Sequence, residues 1–322
     1  MSDMNLVEAV RDALDTEMDR DEKVVVMGED VGVDGGVFRA TEGLLDEYGE
    51  ERVIDTPLSE SGIVGTAFGM AVRGFRPVAE IQFMGFSYPA FDQVISHVSR
   101  IRNRSRGSYS ASMVVRMPYG GGIQAPEHHS ESTEALYAHV PGLKVAIPSG
   151  PSDAKGLLSS AIRDPDPVLF MEPKKIYRAF REEVPEGEHT VPLGEANVVE
   201  EGEDVTVITW GAMVKTVEEA AEEVEHSVEV VDLRTVTPLD LETIHESVDK
   251  TGRVVIVHEA PKTAGFGAEI SATINESDLL YLEAPVKRVT GFDTVFPLYK
   301  LEDEYMPDSA RVVKGINEVA EF

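Results

Sequence analysis

The run Lys23-Val-Val-Val-Met-Gly-Glu-Asp-Val constrains this chain more than any other stretch of its sequence. A strand that is apolar on successive residues has no wet face, and such strands belong to parallel sheets covered by helices on both sides. Similar runs recur as Pro77-Val-Ala-Glu-Ile-Gln-Phe, Ser112-Met-Val-Val-Arg-Met-Pro, Leu143-Lys-Val-Ala-Ile-Pro-Ser and Pro167-Val-Leu-Phe-Met-Glu. Between them the apolar spacing turns helical. Residues 5–20 carry Leu6, Val7, Val10, Ala13 and Leu14 on one stripe behind an Asn5 cap, and helices are also predicted over 62–74, 88–104 and 152–163. Strand and helix alternating in this way predict an α/β fold with a doubly wound parallel sheet.

The alternation breaks after Lys174, where Glu- and Pro-containing stretches lack periodicity. It resumes at Asp204-Val-Thr-Val-Ile-Thr-Trp-Gly with helices over 213–225, 239–249 and 266–275 and strands over 228–233, 253–258 and 286–290. The expected organisation is therefore a domain over 1–185, a linker over 186–203 and a smaller α/β domain over 204–322.

Charge narrows the partners. With 59 acids against 29 bases, the net charge of −30 argues against nucleic acid, whose phosphates would be repelled. The acids are dispersed on amphipathic faces such as Val217-Glu-Glu-Ala-Ala-Glu-Glu-Val-Glu, which suits a protein hydrated in concentrated salt. Thiolate metal sites are excluded because the chain has no cysteine. No apolar run approaches the ~20 residues of a membrane span, and Met1-Ser-Asp-Met-Asn does not begin a secretory signal, so a cytoplasmic location is expected.

Candidate functional groups gather in 53–86. Asp55-Thr-Pro-Leu-Ser-Glu-Ser-Gly places Glu60 between a short apolar run and a Gly/Ala-rich helix. Two readings fit it: an acid at the helix N-terminus behind a Ser59 cap, or a carboxylate presented at the ligand-binding edge of the sheet. Glu29 and Asp30 leave the first strand, either towards a ligand or into a solvated loop. Phe83 is expected in the core, whereas Phe86, beside Gly85, can offer a ring face to a planar ligand. Of the adjacent His128 and His129, one suits catalysis or anion contact and the other a structural role, since neighbours in sequence rarely converge on one metal. Arg100, Arg102, Arg104 and Arg106 form a basic group suited to pairing with a neighbouring subunit. Gly265-Phe-Gly-Ala-Glu-Ile touches on a dinucleotide fingerprint, but Ile270 replaces the third glycine; the two glycines more simply permit a tight turn and close packing.

Taken together, Val24-Val-Val-Met-Gly-Glu-Asp-Val, Ile54-Asp-Thr-Pro-Leu-Ser-Glu, Arg76-Pro-Val-Ala-Glu-Ile-Gln-Phe, Phe91-Asp-Gln, His129-Ser, Pro141-Gly-Leu-Lys-Val, Asp153-Ala-Lys-Gly-Leu-Leu, Asp232-Leu-Arg-Thr-Val and His258-Glu-Ala-Pro make the chain resemble a known family over nearly its whole length. It is similar to the β subunit of the thiamine-diphosphate-dependent decarboxylase component of 2-oxoacid dehydrogenase complexes, of pyruvate or branched-chain type. The resemblance implies a pyrimidine-binding N-terminal domain and a transketolase C-terminal-like domain. It implies an α partner, in a heterotetramer of two α and two β chains, that carries the Gly-Asp-Gly motif for magnesium and diphosphate. No Gly-Asp-Gly occurs here. Glu60 matches the glutamate that activates the cofactor through its pyrimidine nitrogen, and His129 the histidine of acyl transfer to a lipoyl group. Phe86 matches the aromatic packed on the aminopyrimidine, with Gln82 and Glu29 in the same wall. A structural potassium ion is implied near Ala111, Met113, Val114, Ala161, Asp164 and Asp166. The family's C-terminal domain can dock the small basic binding domain of the lipoyl acyltransferase, a docking that Glu283 and the terminal carboxylate of Phe322 could serve electrostatically. A dinucleotide-binding oxidoreductase and an inert scaffold of the same fold are the competing readings.

Overall fold

The computed structural model describes residues 1–322. Asn5 caps the first helix, Leu6–Arg20, reciprocally: its side chain accepts from the Glu8 N–H at 3.0 Å while Glu8 accepts from the Asn5 N–H at 3.0 Å. The stripe expected from the sequence is buried, and the helix lies along Pro151–Arg163.

Seven strands form the larger sheet, in spatial order Thr235–Thr237, Lys144–Ala146, Val168–Pro173, Val114–Tyr119, Arg76–Glu80, Val24–Gly28 and Val53–Asp55. All neighbours run parallel except Thr235–Thr237, which pairs antiparallel with Lys144–Ala146. A five-stranded sheet forms the second unit, in the order Lys287–Gly291, Val254–Pro261, Val205–Thr209, Val228–Asp232 and Asn197–Glu200, with only the last antiparallel. Apolar layers run through both units: Leu14, Val168 and Val205 belong to one, and Ile63, Met117 and Trp210 to the other.

Three local outcomes differ from the sequence reading. The helix expected over 88–104 is broken into a 3₁₀ turn Met84–Ala90, a short α segment Phe91–Gln93, a π turn Val94–Val98 and a last turn Ile101–Arg104. Pro89 has no N–H to continue an α ladder, and the Ser99 N–H bonds to the Val94 carbonyl, a wider step that leaves both Val94 and Val98 buried. Asn197–Glu200, inside the expected linker, is an edge strand of the second sheet, and Glu182–Val184 pairs with Ser2–Met4. Thr235–Thr237 belongs by sequence to the second unit yet extends the first sheet, so the chain sews the two together.

Candidate functional site

Register builds the site. Gly28 lies opposite both Asp55 and Glu80, so three parallel strands end together. Glu29-Asp30, Thr56 to Glu60 and Ile81 to Phe86 therefore leave the sheet from one carboxyl edge, the usual position for ligands in α/β folds. Tyr119 lies opposite Pro173, which releases the loop 120–129 and Lys174 from the same edge.

Glu60 is the first residue of the helix Glu60–Val72 and is half-buried. Ser59 occupies the N-cap position without a side-chain cap bond, which corrects the capping expectation; the first turn instead carries the Glu60 carboxylate, favoured there by the helix dipole. Glu29 has its carboxyl pushed above the usual range, by burial first and then by the charges of Glu60 and Asp30. Acids 29 and 60 are thus close enough to interact. Asp30 adopts a left-handed φ of 57° and accepts a hydrogen bond from the Gln82 side-chain amide at 3.1 Å. The Asp55 carboxylate fastens the loop between them by accepting the N–H groups of Gly32 at 2.6 Å and Val33 at 3.1 Å. Thr56 Oγ1 is buried here without a partner.

An aromatic cluster adjoins this edge. The His129 ring centroid is 4.4 Å from Phe83 and 5.0 Å from Phe86, and the two phenyl rings are 5.4 Å apart. The helix from Glu60 packs on Met84–Ala90, which packs in turn on Glu127–His129. Contact at Gly85 is tight, because a Cβ there would meet the His128 carbonyl oxygen at 2.2 Å. His129 is the residue turned into the cluster, and its Nδ1 is buried without a partner. Its pKa is lowered, by burial first and then by the charges of Lys174 and His128. His128 is 57% exposed beside Glu131. Phe83 is core, as expected, but the core face it completes is the wall behind the imidazole.

Sequence reasoning missed three buried groups. Arg116 donates to Glu172 at 2.6 and 2.9 Å and to Glu80 at 2.5 Å, and Tyr177 Oη donates to Glu172 at 2.7 Å. The signal was present: opposite charges inside neighbouring apolar runs must meet, since an unpaired buried charge is costly. Lys174 is buried behind Phe83, and a lysine at the exit of the apolar run Val168–Pro173 was the clue. Glu134 is fully buried with both carboxyl oxygens unpartnered, and burial pushes its pKa up to about 7. Nothing in its sequence neighbourhood marked it.

Other expected residues lie apart from this edge. Asp164 accepts from Lys144 Nζ at 2.5 Å, and Asp166 from Arg102 Nε at 2.5 Å. The Met113 carbonyl takes the Val168 N–H and the Ala161 carbonyl the Asp164 N–H, while Ala111 and Val114 are buried nearby. Protein cations neutralise both carboxylates, so this turn does not fit a carboxylate-ligated ion, and no group of three or more His, Cys, Asp or Glu side chains is arranged to hold a metal. Glu283 is 59% exposed and paired with Arg253 at 2.6 Å, and Phe322 is 80% exposed at the C-terminus. A cavity of about 1040 Å³ between Phe91, Leu136, His139, Leu239 and Phe266 touches none of Glu29, Glu60, Gln82, Phe86 or His129.

Around Gly265 and Gly267 the space is taken by the chain itself. A Cβ at Gly265 would lie 2.8 Å from His258 Cε1, and one at Gly267 would lie 2.8 Å from His258 Cδ2. The glycines serve close packing of turn on strand.

Fold and edge define a two-unit α/β subunit of the transketolase class. Residues 2–179 match the family model "Transketolase, pyrimidine binding domain" and 194–312 match "Transketolase, C-terminal domain". A solved structure, "Split gene transketolase, inactive beta4 tetramer", superposes with a TM-score of 0.81 over 99% of this chain and 98% of that one; at 22% identity it speaks to fold alone. The "Pyruvate dehydrogenase E1 component subunit beta" of Staphylococcus aureus and that of Staphylococcus epidermidis are each 52% identical to this chain, covering 100% of both partners in the comparison. The chain belongs to the E1 β-subunit family, components of thiamine-diphosphate-dependent oxidoreductase complexes. Neither the dinucleotide reading nor the inert scaffold is favoured by these relationships.

Proposed function

We propose that this chain is the β half of a 2-oxoacid dehydrogenase active site that decarboxylates pyruvate and passes the acyl group to a lipoyl carrier. The observation that carries the reading is the convergence of Glu60, Glu29, Phe86 and His129 on one sheet edge. Pyruvate is preferred over branched-chain 2-oxoacids because the full-length relatives bear that name.

Thiamine diphosphate, when bound, supplies the carbon nucleophile and the electron sink. Residues of this chain suit its aminopyrimidine end: a half-buried carboxyl at position 60, an aromatic ring at 86 and an unpartnered buried hydroxyl at Thr56. Glu60 holds a proton at its carboxyl oxygen for the ring nitrogen, and Phe86 excludes water from one face. Gln82 and Glu29 line the adjoining wall. His129, kept neutral near pH 7 by burial and by Lys174, moves a proton at its imidazole during lipoyl acylation.

The diphosphate and magnesium belong to an α subunit, with two α and two β chains completing the enzyme. Docking of the lipoyl acyltransferase falls to Glu283 and the Phe322 carboxylate, and the −30 charge suits a salt-rich cytoplasm. A potassium ion at 161–166 is left with backbone carbonyls only; equal melting temperatures in potassium and sodium chloride would remove it.

The test is 2-oxoacid-dependent reduction of an artificial electron acceptor by this chain co-expressed with its α partner, in high potassium chloride, with thiamine diphosphate and magnesium supplied or withheld. Pyruvate turnover that requires the cofactor is expected. An assembled, loaded tetramer inactive on every 2-oxoacid would refute the reading.

A further inference from the structure

We propose that Lys174 and Glu259 form a clamp across the two units that positions the His129 loop, with Lys174 also setting the electrostatic surroundings of the imidazole. The proposal rests on the reading of His129 as the lipoyl-acylating group.

The loop is closed at its neck. Gly120 N–H donates to the Glu131 carbonyl at 3.0 Å, so residues 120–131 return to their own starting point with His129 near the end of the excursion. At that neck the single peptide group between Gly120 and Gly121 is held on its two sides by side chains from opposite units. Lys174 Nζ, from the first unit, donates to the Gly120 carbonyl at 2.6 Å; Glu259, from the strand Val254–Pro261 of the second, accepts the Gly121 N–H at 2.7 Å. Further along, Glu302 accepts the Gln124 N–H at 3.1 Å.

The packing admits little slack. A Cβ on Gly120, whose φ is +82°, would lie 2.6 Å from Glu259 Oε1; one on Gly121 would lie 2.6 Å from Phe296 Cζ; one on Gly122 would lie 2.6 Å from Lys175 Cβ. The glycine run permits both units to close on the loop. Charge-assisted bonds at a buried neck resist displacement more strongly than neutral ones, and they fix the loop relative to the unit assigned to partner docking.

Lys174 also reaches the imidazole. Its Nζ lies 5.8 Å from the Phe83 ring centroid, and His129 packs against that same ring at 4.4 Å. The charged neighbours of His129 are Glu127 and His128 on its own turn and Lys174 from the adjoining strand end; the turn 83–86 carries no charged side chain. Burial lowers the Lys174 pKa to about 7, and the facing carboxylates of Glu259 and Glu302 oppose that fall. In its protonated form Lys174 favours the neutral imidazole.

The experiment uses the assembled holoenzyme with an α partner and compares two readouts across pH: lipoyl acylation and reduction of an artificial acceptor. Wild type, Lys174→Met, Lys174→Arg and Glu259→Gln are measured, with His129→Ala identifying the inflection that belongs to the imidazole. In Lys174→Met that inflection should move to higher pH, and acylation should fall about tenfold to a hundredfold relative to acceptor reduction. Lys174→Arg should restore both. A tetramer of wild-type size in which Lys174→Met moves neither overturns the clamp. If Lys174→Met fails to assemble, Glu259→Gln decides: acylation must drop relative to acceptor reduction, and an unchanged ratio overturns the proposal. The underlying reading fails separately, if Glu60→Gln abolishes acceptor reduction but His129→Ala leaves lipoyl acylation intact.

Discussion

The two sheets of this molecule are built alike, yet their carboxyl edges have opposite fates. At the edge of the seven-stranded sheet, Glu29, Glu60 and Phe86 remain half-buried, and the charge of Glu60 is felt at Glu29. At the edge of the five-stranded sheet, the turn after Val254–Pro261 folds back on its own strand. The His258 ring stacks 5.3 Å from Trp210 and fills the space of Gly265 and Gly267. Burial drives the His258 pKa down to about 4, so that imidazole is neutral packing material. The same architecture therefore yields an open site or a closed core according to a few side chains after the strand ends, and fold analogy alone cannot say which.

Removing the Glu60 carboxyl at the edge of the seven-stranded sheet should produce the largest effect. Glu60→Gln is expected to lower cofactor-dependent turnover by about 10²–10⁴-fold with assembly intact, read by steady-state kinetics beside size-exclusion chromatography. Full activity in that variant would erase the functional contrast between the edges.

Glu134, near Glu259 where the two units meet, probes the boundary between them. Its folded-state pKa of about 7 lies above the unfolded value, so the folded chain retains this proton while the unfolded chain loses it as pH rises. Stability from this group is therefore highest in acid and declines between about pH 4.5 and 7, by about 3 kcal/mol in total. Glu134→Gln should match wild type near pH 4.5 and melt above it at pH 7.5. Parallel melting curves at both pH values would show the carboxyl to be solvated.

At the closed edge, Gly265→Ala drives a methyl group against the Pro261 carbonyl at 2.5 Å as well as against His258. A loss of about 1–3 kcal/mol in denaturant unfolding is expected, with turnover per folded enzyme unchanged. A change in turnover without loss of stability would mean that this edge, too, serves the chemistry.

Smallest of all should be Glu283→Lys. Its present partner Arg253 becomes a like charge, and docking of a basic acyltransferase segment should weaken only a few-fold, about 1 kcal/mol or less, because exposed pairs contribute little. Affinity unchanged in moderate salt would remove Glu283 from the docking surface.

Much of this was legible in the residue order. Apolar runs announced parallel strands, Asn5 announced a helix start, and Glu60 stood out as a carboxylate between a strand and a Gly/Ala-rich helix. The expected helix over 88–104 failed because local apolar spacing does not reveal that Pro89 lies inside a 3₁₀ turn or that a π step buries Val94 with Val98. Asp164 and Asp166 suggested a cation site, but Lys144 and Arg102, each distant in sequence from its partner, occupy both carboxylates. A second group of cations, Lys262, Lys287, Arg288, Arg311 and Lys314, gathers around one hollow although no stretch of sequence holds them together.

What the sequence determined by itself is what depends on neighbours along the chain: strand and helix periods, the cap at Asn5, the residues present at each strand end, and a family likeness that extends from end to end. What only the tertiary structure decided is what depends on register and on contact between distant segments. Gly28, Asp55 and Glu80 ending level, Thr235–Thr237 crossing into the first sheet, and Lys174 meeting Glu259 across the neck of the His129 loop are of that kind. The physical reason is that burial and charge are priced by the whole surrounding shell, which no window of consecutive residues contains.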